Sequence, residues 1–164
     1  MSLRTLLLAT FLVFPFAVQA GEMSKEGTES FTDTWLITSS STVKAADQSC
    51  LTYEINGIAR GDSGAGLFNN TGFRATGVVV MAGKHRRDLG AATYTDKDGD
   101  EIFATYTGET EGNPGGKITL AAGTGKYAGI SGTGEWTEFT AAPIKADDKF
   151  YRGIVFNKVH WVLK

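Results

Sequence analysis

The segment LTYEINGIAR, residues 51–60, carries the polar side chains best suited to acid–base chemistry or to ligand binding. If the segment forms a strand, Tyr53 and Ile55 point to one face of the sheet, whereas Glu54 and Asn56 point to the other. On a solvent-exposed face such a pair has no special role. Inside a barrel, a buried carboxylate beside an amide acts as an acid, a base or a ligand anchor, because burial shifts its pKa. The alternation alone favours the solvent-exposed orientation.

The stretch AAGTGKYAGISGTGEW, residues 121–136, raises the question of a phosphate-binding loop. Such a loop needs a glycine, four residues and then Gly-Lys-Ser/Thr, but Leu120 stands in place of the first glycine and Tyr127 in place of the hydroxyl. A dinucleotide-binding loop needs a helix after its glycines, and ISGTGEWTEFT instead alternates with a period of two. We therefore interpret the glycines as turn and strand-bending positions, with Tyr127 folded back as a plug.

Three acidic residues, Asp96, Asp98 and Asp100, alternate in TDKDGDE as they do at the start of a calcium-binding loop. That loop also needs a glycine directly after the third acid and a carboxylate at its twelfth position, where this chain has Glu101 and Thr107. A hairpin turn at the Asp-Gly pair accounts for the same residues with less strain. The sequence therefore predicts a turn here and no calcium site.

The other reactive residue types are few. Cys50 is the single cysteine, and His85 and His160 lack the spacing of a zinc site. The segment KHRR around His85 is interpreted as a solvated basic turn. The segment GDSG, residues 61–64, matches a protease nucleophile segment over four residues only, and no G-x-S-x-G motif is present. The sequence therefore predicts no metal site, no cofactor and no serine or cysteine nucleophile.

Residues 1–20, MSLRTLLLATFLVFPFAVQA, have the pattern of a secretory signal peptide. One positive charge at Arg4 precedes an apolar run from Leu6 to Val18, and small residues precede a cleavage site before Gly21. The apolar run is shorter than the roughly 20 residues that span a bilayer, so we expect no membrane span in the mature protein. We expect the protein to be exported to the periplasm or the extracellular medium. The formal net charge of −2, with no basic stripe, argues against a nucleic-acid partner.

The mature chain reads as a single all-β domain over residues 31–164. It contains most of the 21 glycines and many Thr, Val, Ile, Tyr and Phe residues in short alternating runs. Eight strands are predicted, over residues 31–39, 50–59, 74–82, 89–95, 101–108, 117–122, 131–140 and 150–162. Eight sequential strands predict one small, closed, antiparallel β-barrel, because closure removes exposed edges. Residues 21–30 are expected to be a flexible lead, and the loop over residues 61–72 is expected to close one end of the barrel.

Four stretches of the chain are similar to the group of calycin-like eight-stranded barrels formed by allene oxide cyclases and dirigent proteins. They are YEIN at 53–56 with Arg60, LFNN at 67–70, GDEIFATYTG at 99–108 and AAGTGKYAGISG at 121–132. Their order is shared with that group, and the chain most resembles its exported bacterial relatives. The resemblance implies a homotrimer.

The same resemblance implies that Glu54, Asn56 and Asn70 bind a ligand, since the plant cyclases line their pocket with the matching Glu and Asn residues. It makes Glu54 the candidate catalytic residue and Tyr106 a further lining residue. It also places Glu54 in the lumen, against the orientation that the alternation favours.

Three functions remain open at this stage. The first is an exported barrel that binds a small, mostly apolar molecule in its lumen. The second is a cyclase or isomerase that confines a reactive substrate, as the resemblance implies. The third is a non-enzymatic secreted interaction domain whose barrel is filled by side chains. The volume of the lumen discriminates between the third function and the first two.

Overall fold

The computed structural model describes residues 23–112, 114–141 and 151–164 and contains a closed barrel of eight antiparallel strands. The strands are β1 Glu26–Ala45, β2 Gln48–Gly61, β3 Thr71–Ala82, β4 His85–Thr95, β5 Glu101–Thr110, β6 Gly115–Gly123, β7 Ile130–Ala141 and β8 Arg152–Leu163. Each strand pairs with the next along the chain, and β8 pairs with β1 to close the barrel. The predicted fold class is therefore confirmed. The predicted signal peptide lies outside the described residues.

Strand β1 begins at Glu26, earlier than the sequence predicts. The expectation of a flexible lead over residues 21–30 is therefore wrong for residues 26–30. Residues 26–30 belong to β1 and pair with β8, from Glu26 opposite Val162 onward. This segment is polar and lacks large apolar groups, which is why it reads as unstructured. Its backbone groups are nevertheless satisfied by the β8 ladder, and that ladder does not require apolar side chains on the outer face.

Inward-facing residues on β2 to β5 form layers that follow one another along the barrel axis. Each layer is one row of register partners. The floor layer consists of Gly57, Phe73, Tyr94 and Ile102. The alanine layer consists of Ile55, Ala75, Ala92 and Ala104. The tyrosine layer consists of Tyr53, Gly77, Gly90 and Tyr106. The acidic layer consists of Leu51, Val79, Asp88 and Gly108. The small side chains of the alanine layer leave space in the middle of the barrel.

The loop between β2 and β3 closes the end of the barrel next to the floor layer, as the sequence predicts. Leu67 and Phe68 are buried, and the Phe68 ring stacks on Phe31 with 3.9 Å between centroids. The carboxylate of Glu29 on β1 accepts hydrogen bonds from the backbone N–H groups of Leu67 and Phe68, at 2.8 and 3.3 Å. These contacts hold the loop in the barrel as a plug.

The glycine-rich stretch forms a turn and a strand, which confirms its structural interpretation. A short 3₁₀ helix spans Gly125–Tyr127, and Gly125 and Gly129 have φ angles of 51° and 83°. Tyr127 is buried, and its hydroxyl donates to Asp96 at 3.0 Å. The Asp98–Gly99 segment is likewise a hairpin turn, with φ of 87° at Gly99.

Within the described ranges, no helix is long and apolar enough to span a membrane. No group of three or more His, Cys, Asp or Glu side chains in those ranges is arranged to hold a metal ion.

Candidate functional site

The lumen contains a cavity of about 360 Å³ between the floor layer and the open end of the barrel. We call this open end, where the β1–β2 and β3–β4 hairpins lie, the mouth. The wall of the cavity is mostly apolar and includes Trp35, Leu51, Ile55, Phe73, Ile118 and Trp136. A volume of this size and an apolar wall with a few polar groups are typical of small-molecule sites.

A buried carboxyl group, that of Asp33 on β1, lies at the floor of the cavity. Its side chain is 1% exposed. The Tyr94 hydroxyl donates to its Oδ2 atom at 3.1 Å, and the Asn157 amide donates to the same atom at 2.9 Å. Desolvation raises the pKa of Asp33 from its ordinary 3.8 to about 7, although these two hydrogen bonds oppose the shift. The carboxyl group therefore changes its protonation state close to neutral pH.

Two buried polar atoms of the floor have no hydrogen-bond partner within the described part of the chain, namely Asp33 Oδ1 and Trp35 Nε1. Asp33 and Trp35 are both on β1, two positions apart, and both side chains line the cavity. Nearly all buried polar atoms in proteins are hydrogen-bonded. One N–H donor and one carboxyl oxygen in the wall of the cavity therefore lack a hydrogen bond from the described residues.

A pair of tyrosines forms a polar strip on the cavity wall at the tyrosine layer. The hydroxyl groups of Tyr53 and Tyr106 lie 2.7 Å apart, and the Tyr106 hydroxyl also donates to the Thr76 carbonyl at 3.3 Å. The two side chains reach each other over Gly77 and Gly90, where a Cβ atom would collide with the hydroxyl groups. Burial raises the pKa of Tyr106 to about 12, so the pair stays uncharged near neutral pH.

An ion-pair cluster of Arg86, Asp88 and Glu138 lies between the tyrosine layer and the mouth. The Arg86 guanidinium contacts Asp88 through Nε at 2.6 Å and Nη2 at 3.1 Å, and Nη2 reaches Glu138 on β7 at 3.2 Å. Burial lowers the pKa of Arg86, but the two carboxylates more than compensate and raise it overall. The interpretation of KHRR as a solvated turn is thus wrong for Arg86, because β4 begins at His85 and alternation turns Arg86 into the lumen.

Glu54 and Asn56 lie on the outer wall of the barrel. Because Tyr53 and Ile55 line the cavity, the residues between and after them point outward. The Glu54 carboxylate pairs with Arg74 at 2.9 Å, and this contact holds its pKa below the ordinary value. The lumen orientation that the resemblance implies is therefore wrong, and the orientation favoured by alternation is correct. A binding or catalytic role for the two residues stays a prediction.

The other two predicted ligand-binding residues lie in different places. Tyr106 lines the cavity as described above. Asn70 ends the plug loop in the left-handed region, with φ of 59°, and its side chain is exposed. It borders a separate cleft on the outside of the closed end, together with Lys126 and Trp161. The structure therefore brings Tyr106 to the cavity but not Asn70.

The polar residues of the floor were missed by the sequence reasoning, although a signal for Asp33 was present. In SFTDTWLI, residues 30–37, the alternate positions Phe31, Asp33, Trp35 and Ile37 form one face. A single carboxyl group on an otherwise apolar strand face indicates a buried acid. Asn157 gave no such signal, because its proximity to Asp33 depends on the closure of β8 on β1.

Comparison with known proteins supports the fold and not a specific activity. No protein-family model and no curated protein matches the sequence. Among solved structures, the chain is similar to that of the pterocarpan synthase dirigent protein GePTS1. The TM-score is 0.51 and the sequence identity is 10%, over 95% of this chain and 100% of that one. At this level of identity a structural likeness shows the fold alone. The chain therefore has the closed eight-stranded barrel of a dirigent-like fold.

Proposed function

We propose that this protein is exported and binds a small, mostly apolar molecule in the lumen of its barrel. The observation that carries the proposal is a pair of buried polar atoms without partners among the described residues, Asp33 Oδ1 and Trp35 Nε1, at the floor of a mostly apolar cavity. An unpaired buried polar atom costs about 1–3 kcal/mol. A ligand hydroxyl group that accepts from Trp35 and bonds to Asp33 removes this cost, while its apolar part packs against the cavity wall.

Ligand binding is tested by thermal unfolding with a panel of apolar alcohols, ketones and terpenoids. A ligand of the native state alone stabilises it by about 2.7 kcal/mol at a hundredfold its dissociation constant, which raises Tm by roughly 10 °C for a domain of this size. The variant Ala92→Leu narrows the cavity at the alanine layer and should lose this shift while remaining folded. No shift with any member of the panel would contradict the proposal.

Export has its own support and its own test. The pattern of residues 1–20 supports it. Expression of the full chain in a bacterial host, followed by N-terminal sequencing of the periplasmic fraction, should give a mature protein that begins at Gly21. A full-length protein retained in the cytoplasm would contradict export and leave ligand binding unaffected.

A second candidate function, a cyclase or isomerase, is favoured by the protonation behaviour of Asp33. A carboxyl group with a pKa of about 7 acts as a base or an acid close to neutral pH. Trp35, two residues further along the same strand and also in the cavity wall, has an indole N–H without a partner among the described residues, and such a donor stabilises a substrate oxygen on which negative charge develops. The similar solved structure is named as a synthase, which is consistent with chemistry on this fold.

Hydrogen–deuterium exchange tests the second candidate without knowledge of the substrate. An enolisable apolar ketone is incubated with the protein in D₂O, and deuterium at its α-carbon is measured by mass spectrometry. The Asp33 carboxylate should remove the α-proton, so the rate should rise with pH through about 7 and vanish in Asp33→Asn. The outer-wall variant Glu109→Gln, whose side chain pairs with Arg87, should retain the full rate. Equal exchange in wild type and Asp33→Asn would exclude Asp33 as the base.

A further inference from the structure

We infer that the lumen selects uncharged molecules with a hydrogen-bond donor at the mouth end and rejects apolar molecules that carry a carboxylate, such as fatty acids. This inference deepens the proposed ligand binding and rests on it. Its basis is the charge of the cavity wall. The carboxyl and guanidinium groups that line the cavity within the described residues are those of Asp33, Arg86, Asp88 and Glu138, so one cation faces three carboxyl groups.

The one cation among the described lining residues, Arg86, is already engaged by protein carboxylates. Its guanidinium makes a two-point contact with Asp88, whose side chain is 3% exposed, and a further contact with Glu138. An Arg–carboxylate contact through two parallel N–H bonds is the strong form of this pair. A ligand carboxylate would have to displace Asp88 from Arg86 and leave Asp88 as a buried, unpaired charge, which is costly.

Both ends of the cavity are unfavourable for a ligand anion. Below the mouth, a carboxylate lies near Asp88 and Glu138, whose side chains are only 3% and 11% exposed, and like charges at such poorly hydrated positions repel more strongly than in bulk water. At the floor, it meets Asp33, which is itself negatively charged above about pH 7. Either orientation of a fatty acid in the cavity thus places two negative groups close together.

The tyrosine layer provides a site for an uncharged donor. Tyr106 has one hydroxyl proton, which it donates to the Thr76 carbonyl, so the proton in the 2.7 Å contact comes from Tyr53. The Tyr53 oxygen is left as an acceptor on the cavity wall, close to the carboxylates of the mouth. A hydroxyl group of a ligand donates to such an oxygen without any net charge. The polar groups at the two ends are therefore matched by a molecule with a hydroxyl group at each end and an apolar middle.

The test compares ligands that share one skeleton, 1,10-decanediol, 1-decanol and decanoate, by isothermal titration calorimetry of the full mature protein. At about pH 6 decanoate is ionised whereas Asp33 is mostly protonated, so the mouth is tested apart from the floor. We expect the diol to bind at least about tenfold more tightly than decanoate. Affinity for decanoate should fall further at pH 8, where Asp33 is ionised.

Two variants show whether the ion-pair cluster causes the selectivity. Asp88→Asn keeps the shape of the side chain but leaves Arg86 with less carboxylate contact, so affinity for decanoate should rise about tenfold, whereas affinity for 1-decanol should change little. Glu138→Gln tests the same effect from β7 if Asp88→Asn does not fold. Glu109→Gln is the matched control, because Glu109 pairs with Arg87 on the outer wall; it should change neither affinity.

The outcomes separate the inference from the function on which it rests. Decanoate that binds as tightly as the diol, or an Asp88→Asn variant with unchanged selectivity, would overturn the charge selection while ligand binding stands. Failure of all three ligands and of the wider panel to bind would overturn both.

Discussion

Replacing Asp33 with asparagine should remove a large pH dependence from the stability of the protein. The asparagine oxygen can accept the same hydrogen bonds from Tyr94 and Asn157 that Asp33 Oδ2 accepts. The substitution therefore keeps the shape and two hydrogen bonds of the site but abolishes its titration. The wild-type carboxyl has a pKa of about 7 when folded and 3.8 as its ordinary value.

The sign and the size of the effect follow from proton linkage. Between pH 3.8 and about 7 the folded protein binds a proton at Asp33 that the unfolded chain does not, so the free energy of unfolding falls as pH rises through this range. At about 1.4 kcal/mol per pKa unit, the full difference is about 4 kcal/mol. The stabilisation of the folded state by protonated Asp33, relative to ionised Asp33, is fully present below pH 3.8 and is lost above about pH 7. It is large against the 5–15 kcal/mol of a typical domain.

The assay is urea unfolding of wild type and Asp33→Asn between pH 4 and pH 8. The quantity of interest is the difference between the two unfolding free energies at each pH, in which the contributions of all other titrating groups cancel. As pH rises, the unfolding free energy of the wild type should fall relative to that of Asp33→Asn, by about 1.4 kcal/mol per pH unit in the middle of the range. A difference that stays constant from pH 4 to pH 8 would mean that Asp33 is ionised throughout, and that the floor of the cavity is hydrated.

Three further substitutions, one of them with a matched control, test the tyrosine layer, the β2–β3 loop and the outer wall. Gly90→Ala places a Cβ against the Tyr106 hydroxyl and should lower the free energy of unfolding by about 1–3 kcal/mol in urea titrations, whereas Gly112→Ala, with no atom within 4 Å of its added Cβ, should be neutral. Phe68→Ala removes the buried ring of the β2–β3 loop and should lower the free energy of unfolding by about 3–5 kcal/mol. A loss below about 1 kcal/mol would show that the loop does not plug the barrel. Glu54→Gln should leave both the unfolding midpoint and ligand affinity unchanged, and a loss of affinity would restore Glu54 as a binding residue.

The fold could be predicted from the sequence because several independent features of the sequence agree. Period-two alternation, turn residues at the strand ends and frequent glycines all indicate short antiparallel strands. The boundaries were less well predicted. Both the start of β1 at Glu26 and the start of β4 at His85 involve charged or polar residues that join a strand through backbone pairing. Side-chain patterns alone carry no information on such pairing.

The site was predicted less well than the fold, for two physical reasons. The orientation of Glu54 follows from which residues of β2 are apolar, and the alternation gave it correctly, whereas the resemblance of the YEIN segment, residues 53–56, implied the opposite orientation. The contacts of the cavity are long-range. The bond from Asn157 to Asp33 joins residues 124 positions apart, and that from Arg86 to Glu138 joins residues 52 apart. Only barrel closure brings these pairs together.

The polar groups of the lumen are explained better by the proposed ligand binding than by the stability of the fold. A barrel that serves only as a packed scaffold fills its interior with side chains, yet the small side chains of Ala75 and Ala92 line a cavity of about 360 Å³. A buried ion pair such as Arg86–Asp88 is often no more stable than apolar residues of the same volume. The ionised form of Asp33 costs about 4 kcal/mol by the linkage above. Groups that weaken the fold at both ends of an apolar cavity are expected where a bound molecule supplies the missing contacts, and stability gained on ligand binding should therefore be lost in Asp33→Asn.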